Sequence, residues 1–360
     1  MNDIAEYMNA MVTMKHGGLD VLKWHEKWPT PQPKADEVLV RVKACGLNNT
    51  DINTRTGWYS KAVSGATSGD GYQLQQNDPA WGGTPIGFPR IQGADVCGII
   101  VAVGTNISVK RIGERIISDN WLRDPQDPLN KNKVGYFGSE RDGGFAEYTT
   151  MPSQNALMIK SDFSDCELAT FSCSYSTAEG MLHRADVTRH DTVLVTGASG
   201  GVGSALIQLA KLRGTRVIAM ANPTKHTQIA KLSPDKIIDR APDDLRAALG
   251  DEKITVVADV VGGDYWPNLI EILERGGRYT CSGAIAGPHV SFDLRTFYLN
   301  DLTFTGSTVI EPIIMRHLVR YIERQKIKPM LAKTYPLREL REAQTAFIAK
   351  KHTGNIVVTP

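Results

Sequence analysis

The fold of this chain is decided by the segment DTVLVTGASGGVGSALIQLAKLRGTRVIAM, residues 191–220. It begins with an apolar run at 192–195, passes through a glycine-rich turn and continues as a helical pattern from Ser204 to Leu212. Gly214 is placed to end that helix, and residues 215–220 form a second apolar run. A strand, a turn, a helix and a strand within about 30 residues predict one repeat of a parallel sheet.

The turn has the pattern Ala198-x-Gly200-x-x-Gly203, which differs from a three-glycine fingerprint only at its first position. Small residues permit a tight turn, Gly200 lets the backbone approach a pyrophosphate, and Gly203 lets the helix pack on the strand. The free N–H groups at the start of the helix then face the phosphates. A tight turn without a ligand is the alternative, but the strand and helix around it favour a dinucleotide site. The predicted cofactor-binding residues of this turn are Ala198, Ser199, Gly200, Gly201, Val202 and Gly203.

The residues after the second strand favour NADP(H) over NAD. An enzyme that reads NAD usually places Asp or Glu here to hold the ribose 2′-hydroxyl, but residues 216–231 contain no acidic residue. Asn222, Thr224 and Lys225 suit a 2′-phosphate instead, with His226 nearby. The alternative is that Lys225 is an ordinary exposed lysine at the start of the next helix.

The alternation of strands and helices continues beyond this unit. The segments 237–238, 254–260 and 278–281 are predicted to be strands, and the helical patterns 243–249 and 265–273 separate them. The sequence therefore predicts an α/β fold with a doubly wound parallel sheet of the Rossmann type. Ligands bind such sheets at the carboxyl ends of the strands. That rule adds a second group of predicted cofactor-binding residues, namely Val261, Gly262, Ser282, Gly283 and Ala284.

Length and composition narrow the class of protein. At 360 residues we expect about two domains. A net charge of +2 gives no electrostatic footprint for nucleic acid, and no apolar run is long enough to span a membrane. The N-terminus has no apolar core of a secretion signal. Five scattered cysteines without a Cys-x-x-Cys pair indicate a reducing compartment, so we expect a cytoplasmic location.

The first part of the chain is predicted to be mostly β, with irregular loops. Residues 58–90 have no period of 2 or 3.6 and contain Trp58, Tyr59, Trp81 and Phe88. A loop of this length is typical of a lid or pocket wall, and a surface ornament or subunit contact is the alternative. Residues 119–135 are expected to form a polar loop. The apolar segment 302–307 has the pattern of an edge strand, which predicts a homodimer by edge pairing.

Several segments, in order, resemble the medium-chain dehydrogenase/reductase superfamily. They are Lys43–Asp51 (KACGLNNTD), Gly93–Asp95, Asp142–Tyr148 (DGGFAEY), the glycine turn, Asp259–Gly263 and Gly354–Val358. The resemblance implies a β-rich, GroES-like catalytic domain at 1–160 and 309–360, with the NADP-binding Rossmann domain at 161–308 between its two parts. It also implies that Thr177 and Asn355 contribute to cofactor binding.

The positions that hold catalytic zinc in alcohol dehydrogenases of this superfamily differ here. Asn48 stands at the first cysteine ligand and Ala94 at the histidine ligand, and only Cys173 matches the third. One soft ligand does not make a catalytic zinc site, which needs three protein ligands and an open position. The four-cysteine loop of the structural zinc is also missing, because residues 106–148 contain no cysteine. We therefore predict no metal and interpret Cys173 as a small buried residue near the nicotinamide.

The same region resembles the zinc-free, quinone oxidoreductase-like branch, which carries Asn-x-x-Asp-x-x-x-Arg-x-Gly. The matching residues are Asn48, Asp51, Arg55 and Gly57. The resemblance implies reduction of quinones, enones or enals with NADPH.

Three residues of this region are the predicted catalytic residues. Asn48 donates to a developing enolate or quinol oxygen, Thr50 occupies the place of a proton-relay hydroxyl, and Tyr59 protonates the enolate. Asp51 and Arg55 are equally well interpreted as a pair that holds the loop. The tyrosine usual two residues after the aspartate is Asn53 here.

The leading hypothesis is an NADPH-dependent, zinc-independent reductase of quinones or activated C=C bonds that acts on a small-molecule substrate. The second is an alcohol or aldehyde dehydrogenase with a lost or rebuilt metal site, which would depend on metal. The third is a non-catalytic NADPH-binding protein, which would bind NADPH and turn over nothing.

Overall fold

The computed structural model describes residues 4–72 and 85–360, so Trp81 of the 58–90 loop lies outside the described residues. The chain folds into two compact units. Unit 1 comprises 1–63, 68–173 and 315–360, and unit 2 comprises 64–67 and 174–314. The sequence-based boundaries after residues 160 and 308 fall somewhat before these changes of unit. The later first boundary has a physical reason, because Arg115 of unit 1 forms an ion pair with Asp165 at 2.7 Å.

The strands and helices are named in chain order. The strands are β1 (Tyr7–Thr13), β2 (Leu22–Pro29), β3 (Glu37–Gly46), β4 (Arg90–Ile91), β5 (Asp95–Val103), β6 (Arg115–Ser118), β7 (Trp121–Arg123), β8 (Val134–Tyr136), β9 (Tyr148–Pro152), β10 (Ala156–Met158), β11 (Thr192–Val195), β12 (Arg216–Ala221), β13 (Lys236–Asp239), β14 (Ile254–Asp259), β15 (Leu273–Cys281), β16 (Thr303–Gly306), β17 (Leu331–Pro336) and β18 (Asn355–Thr359). The helices are α1 (Asn49–Thr56), α2 (Asp165–Leu168), α3 (Ser172–Arg184), α4 (Gly201–Leu212), α5 (His226–Ala230), α6 (Leu245–Leu249), α7 (Trp266–Glu271), α8 (Leu294–Leu299), α9 (Pro312–Glu323) and α10 (Leu340–Ile348). Among the described residues no helix is both long and apolar enough to cross a membrane.

Unit 1 is the β-rich unit that the sequence predicted. Its main sheet has the order β10-β6-β5-β3-β18-β17, with β9 also paired to β3, and a second sheet has the order β2-β1-β4. β3 and β5 pair antiparallel. Both strands contribute buried residues to the core of unit 1, including Val38, Val40 and Val96. The C-terminal strand β18 lies between β3 and β17, so both parts of unit 1 share one sheet.

Two elements of unit 1 correct the sequence-based expectations. The predicted polar loop at 119–135 contains β7, which pairs with β8 as a short hairpin. Trp121 and Tyr136 pack edge to face across it at 5.1 Å, so aromatic contact rather than alternation stabilises the pair. β17 was not predicted either, because its parallel partner β18 follows only after α10.

Unit 2 contains the predicted parallel sheet, in the order β13-β12-β11-β14-β15-β16, which confirms the α/β fold class. β11 and β12 pair from Thr192↔Arg216 to Val195↔Ala219. Their inner residues are fully buried, as expected for strands covered on both faces. β11 lies in the middle, beside β12 and β14, so the turn that follows it opens at the centre of one sheet edge.

Candidate functional site

The glycine turn of unit 2 joins β11 to the N-terminus of α4. Gly197 has a φ of +54°, and its carbonyl oxygen accepts the Gly200 N–H at 2.9 Å. A Cβ on Gly203 would lie 2.2 Å from that same oxygen, so the predicted close approach of helix and strand is confirmed here. A Cβ on Gly200 would meet nothing closer than 3.5 Å. Space therefore remains in front of the first turn of α4, where a phosphate is expected to bind.

A buried carboxylate, missed by the sequence reasoning, fixes the loop after β14. Asp259 accepts hydrogen bonds from the Thr196 hydroxyl at 2.5 Å and the Tyr279 hydroxyl at 2.8 Å. It also accepts the backbone N–H groups of Val261 at 2.8 Å and Gly262 at 3.1 Å. The signal available in the sequence was an acid at the end of an apolar strand, followed by two valines and two glycines.

The loops after β14 and β15 lie side by side at the same edge of the sheet. Ser282 N–H donates to the Asp259 carbonyl at 3.2 Å, and Gly262 pairs with Gly287. Ala284 lies within 3.3 Å of the position of a Cβ on Gly262. The structure thus brings together the two predicted groups in unit 2, the glycine turn and the segment pair 261–262 and 282–284.

Lys225 is half-buried beside the glycine turn. Its Nζ lies 3.4 Å from the Ser199 hydroxyl. Burial and the nearby Arg240 guanidinium lower the pKa of Lys225. Arg240 was missed by the sequence reasoning, although it directly follows β13, whose Asp239 pairs with Ala221 at the end of β12. Two cations therefore lie beyond the carboxyl ends of two neighbouring strands.

The remaining predicted cofactor residues have local roles or lie elsewhere. Asn222 caps a short turn and accepts the Thr224 N–H at 3.0 Å and its hydroxyl at 2.8 Å. Thr177 is half-buried on α3 in unit 2, whereas Asn355 is buried at the start of β18 in unit 1.

In unit 1 the residues around Asn48 form a buried polar cluster. Asn48 caps α1, and its backbone N–H donates to the Asp51 carboxylate at 2.8 Å. Asp95, which is fully buried, accepts the Asn120 side-chain amide at 2.7 Å and the Cys173 backbone N–H at 2.9 Å. The Asn48 side-chain amide lies near the Asp95 carboxylate, but its Nδ2 forms no hydrogen bond with the described residues. The residues of this cluster come from four places in unit 1, namely α1 and its cap, β5, the β6–β7 connection and the start of α3.

Two tyrosine hydroxyls belong to the same cluster. The Tyr136 hydroxyl accepts the Asn120 amide at 3.3 Å and hydrogen-bonds to Cys173. Tyr59 hydrogen-bonds to the Asn53 side chain. Cys173 and Asp51 lie close enough to the Tyr59 hydroxyl to raise its pKa through charge–charge interaction. The structure thus places Tyr59 beside Asn53, the residue that replaces the usual tyrosine. The hydroxyl of Thr50 is buried and has no hydrogen-bond partner among the described residues.

Burial dominates the electrostatics of this cluster. It raises the pKa of Asp51 to about 7, with a further contribution from the charge of Asp95. It raises the pKa of Asp95 to about 6, although the nearby Asn48 amide and the hydrogen bonds from Asn120 and the Cys173 N–H oppose the shift. Burial also raises the pKa of the Tyr59 hydroxyl, which keeps that group protonated at neutral pH.

Two interpretations from the sequence are corrected here. Asp51 and Arg55 do not pair: the Arg55 guanidinium instead contacts Gln344 and the carbonyl oxygens of Gly17 and Gly69. Cys173 is half-buried rather than buried.

The residues of this cluster do not fit a catalytic zinc. Asn48 and Ala94 occupy two of the three ligand positions, and Ala94 has no donor atom. Within residues 4–72 and 85–360, no group of three or more His, Cys, Asp or Glu side chains is arranged to hold a metal ion. What the cluster offers instead is hydrogen-bond donors, namely amide and hydroxyl groups.

Comparisons with known proteins identify related families and structures. The alcohol dehydrogenase GroES-like domain matches residues 34–161, and the zinc-binding dehydrogenase family matches residues 201–324. The crystal structure of a protein of Sinorhizobium meliloti 1021 that bears the provisional name alcohol dehydrogenase is 44% identical. That match covers 100% of this chain and 98% of the other, with a TM-score of 0.90.

Two curated relatives span most of the chain. NADPH-dependent alkenal/one oxidoreductase, chloroplastic, of Arabidopsis thaliana is 26% identical over 99% of this chain and 81% of its own length. Quinone oxidoreductase of Rattus norvegicus is 25% identical over 95% of this chain and 94% of its own length.

The chain belongs to the medium-chain dehydrogenase/reductase superfamily, in its quinone oxidoreductase-like branch. It is an oxidoreductase of a family that binds a nicotinamide cofactor, and the glycine turn of unit 2 has the shape that such a cofactor needs.

Proposed function

We propose that the protein is an NADPH-dependent, zinc-independent oxidoreductase that reduces quinones or the activated C=C bonds of enones and enals. The observation that carries the proposal is the polar cluster of unit 1. Where zinc alcohol dehydrogenases of the superfamily hold a Lewis acid, this chain has the Asn48 amide, with the hydroxyls of Tyr59 and Tyr136 close by. Such donors stabilise negative charge that develops on a carbonyl oxygen. The names of the two curated relatives support the same class of substrate.

The roles of the residues follow from their surroundings. Bound NADPH supplies a hydride. The Asn48 amide donates to the oxygen on which charge develops, and the Thr50 hydroxyl, buried without a partner among the described residues, can complete that contact. Tyr59, kept protonated by burial, delivers a proton to the resulting enolate.

The test of this function is NADPH oxidation, followed at the nicotinamide absorbance band, with and without a chelator. The substrates are a quinone, an enone and an aldehyde, with a secondary alcohol and NADP for the reverse direction. Turnover of the quinone or enone that a chelator does not affect supports the proposal. Turnover confined to the aldehyde or alcohol, and lost with the chelator, contradicts it.

The second candidate is an alcohol or aldehyde dehydrogenase. It is favoured by the 44% identity to the Sinorhizobium meliloti 1021 protein, which bears an alcohol dehydrogenase name. The donor set argues against it, since Cys173 alone among the three ligand positions retains a metal-binding atom. Metal analysis of the purified protein distinguishes the two candidates.

NADPH rather than NADH is proposed because Lys225 and Arg240 lie together at the edge of the unit 2 sheet, without an acid at the end of β12. We expect Lys225→Ala and Arg240→Ala each to weaken NADPH binding by about 10–100-fold, the value of one charge-assisted hydrogen bond. NADH affinity should change less than threefold or so. Titration calorimetry with both cofactors measures this, and Lys110→Ala, on an exposed turn of unit 1, is the control. An equal loss for NADH and NADPH would contradict the role of both cations.

A homodimer is also proposed. β16 ends the unit 2 sheet with β15 as its only strand partner among the described residues, and α8 beside it exposes Leu294, Tyr298 and Leu299. We expect sedimentation to give the mass of two chains, and Leu294→Lys with Leu299→Lys to give that of one. Val109→Lys is a matched control, since Val109 is equally exposed but lies in unit 1. A monomeric wild-type protein would contradict the proposal.

A further inference from the structure

Among residues 4–72 and 85–360, Arg55 is the largest side chain that the fold buries completely. It forms no ion pair with the described residues, and burial lowers its pKa to about 10, with Asp20 and Asp70 acting only at longer range. Burying an unpaired guanidinium is costly, and the cost is offset only if its donors are satisfied. Nε and Nη1 of Arg55 donate to one side-chain amide and to backbone carbonyls, whereas Nη2 has no partner among the described residues. The contacts that Arg55 makes join segments that are far apart in the chain.

Three separate segments meet on this side chain. Arg55 Nε donates to Gln344 Oε1 on α10 at 3.0 Å. Its Nη1 donates to the carbonyl oxygens of Gly17 at 2.6 Å and Gly69 at 3.3 Å. Gly17 N–H returns a hydrogen bond to the Arg55 carbonyl at 2.9 Å. Arg55 thereby connects α1 to α10, to the turn after β1 and to the loop after α1.

A second contact joins the N-terminal end of α1 to the segment just after α10. Lys350, just beyond α10, donates to Asn49 Oδ1 at 2.9 Å. α1 has only eight residues, which is too short to be stable without tertiary contacts. Two contacts spaced along its length therefore fix both its position and its rotation. Asn48 is the N-cap of that helix, and its first turn carries Thr50.

The loop that carries Tyr59 is closed by the same group of contacts. Its two ends meet where Tyr72 N–H donates to the Thr56 carbonyl at 3.0 Å. Gly71 lies so close to the turn after β1 that a Cβ there would be 2.5 Å from Gly17 Cα. Arg55 holds Gly69 two residues earlier. The return end of the loop is thus held by Arg55, while Asn53 on α1 holds Tyr59 near its start.

We propose that Arg55 and Gln344 are positioning residues, which set Asn48 on α1 and Tyr59 on the following loop in a fixed relation to each other. The proposal rests on the proposed function for its effect on rate, but its effect on the loop can be measured without any substrate. Neither residue is placed in contact with substrate or cofactor. They act through α1 and through residues 57–72.

The first variant is Gln344→Leu, which removes the acceptor of Arg55 and keeps a similar volume. We expect kcat for the enone or quinone to fall about tenfold, because small misplacements of reacting groups have effects of this size. NADPH affinity should stay within about twofold of wild type, and amide hydrogen exchange of residues 57–72 should become about tenfold faster. Exchange in residues 192–306 should not change.

The rescue variant is Gln344→Glu. Gln344 Nε2 has no hydrogen-bond partner among the described residues, so a carboxylate loses no contact and keeps the acceptor for Arg55. We expect this variant to recover at least half of the wild-type kcat and slow exchange in the loop. A residue needed only for general stability would give a fall in melting temperature without this difference between Leu and Glu.

A second pair of variants tests the loop directly. Gly71→Ala should reproduce the fall in kcat and the faster exchange, whereas Gly87→Ala should change neither, since its Cβ would meet only Arg90 Nη2 at 3.8 Å. Wild-type kcat in Gln344→Leu and Gly71→Ala, or a loss of kcat with unchanged exchange in 57–72, would overturn the proposal. If the wild-type protein reduced no quinone or enone, the proposed function would fail, and the exchange rates would still decide whether Arg55 and Gln344 hold the loop.

Discussion

Gly200→Val is expected to abolish NADPH binding without unfolding the protein. Gly200 has an ordinary extended backbone, with φ −84° and ψ 175°, and a Cβ there would meet nothing closer than 3.5 Å. The larger side chain would instead occupy the space in front of the first turn of α4, where the pyrophosphate is expected. We expect NADPH affinity to fall by at least about 100-fold, which corresponds to roughly 3 kcal/mol. Titration calorimetry measures this loss, and the melting temperature without cofactor should stay near that of wild type.

Gly203→Ala is the matched substitution in the same turn. We expect it to lower the stability of the fold, which Gly200→Val should leave unchanged. Its Cβ would lie 2.2 Å from the Gly197 carbonyl oxygen and 2.6 Å from Ala198 Cα, both of which are backbone atoms. The helix has to move away from the strand, so we expect the free energy of unfolding to fall by about 1–3 kcal/mol. If Gly200→Val kept its NADPH affinity, the cofactor would not bind at this turn.

Asn48→Ala is expected to lower kcat by roughly 100–1000-fold, the cost of removing one donor to a developing oxyanion. The KM for NADPH should change little, because the proposed contacts with the cofactor phosphates lie in unit 2. Steady-state kinetics with an enone or a quinone measures both parameters.

Asn48 also caps α1, so Asn48→Ser is the control that separates the two roles. Serine retains the capping preference but lacks the amide N–H donor. We expect Asn48→Ser to keep the stability that Asn48→Ala loses, about 1 kcal/mol, and still to have the low kcat. Recovery of kcat in Asn48→Ser would show that the helix cap, rather than the amide donor, is what the reaction needs.

The parallel sheet and its turn could be predicted because their signals are local. The apolar runs that became β11, β12 and β14 are continuous, and the glycines fall between a strand and a helix. The close approach at Gly203 follows from this pattern alone. Arg240 could not be recognised in the same way. Its proximity to Lys225 depends on which strand lies beside β12. Neither segment has a sequence pattern that predicts the parallel pairing of β12 with β13.

The cluster of unit 1 was predicted only in part, because its partners come from distant segments. The Asn48 and Asp51 contact is local, but Asp95, Asn120 and Cys173 reach it from separate elements. The partner of Arg55 shows the limit most clearly. The closeness of Asp51 and Arg55 in the sequence suggested a pair, whereas Arg55 contacts Gln344, which lies 289 residues away. The proximity of Tyr59 to Asn53 likewise depends on how the chain turns after Gly57.

The place of β18 in the unit 1 sheet dictates the order in which a nascent chain can complete its two units. Strands β11 to β16 all lie within residues 192–306, so the sheet of unit 2 can form while the ribosome is still extending the chain. The second half of β3 pairs with β5 on one side, but its other side gains a partner only with residues 355–359, which pair with Cys45 and Gly46. Leu47 N–H then donates to the Ile356 carbonyl at 2.9 Å, directly before Asn48. The glycine turn can therefore form first, and the segment leading into the proposed catalytic residues is fixed only after residues 355–359 have been synthesised.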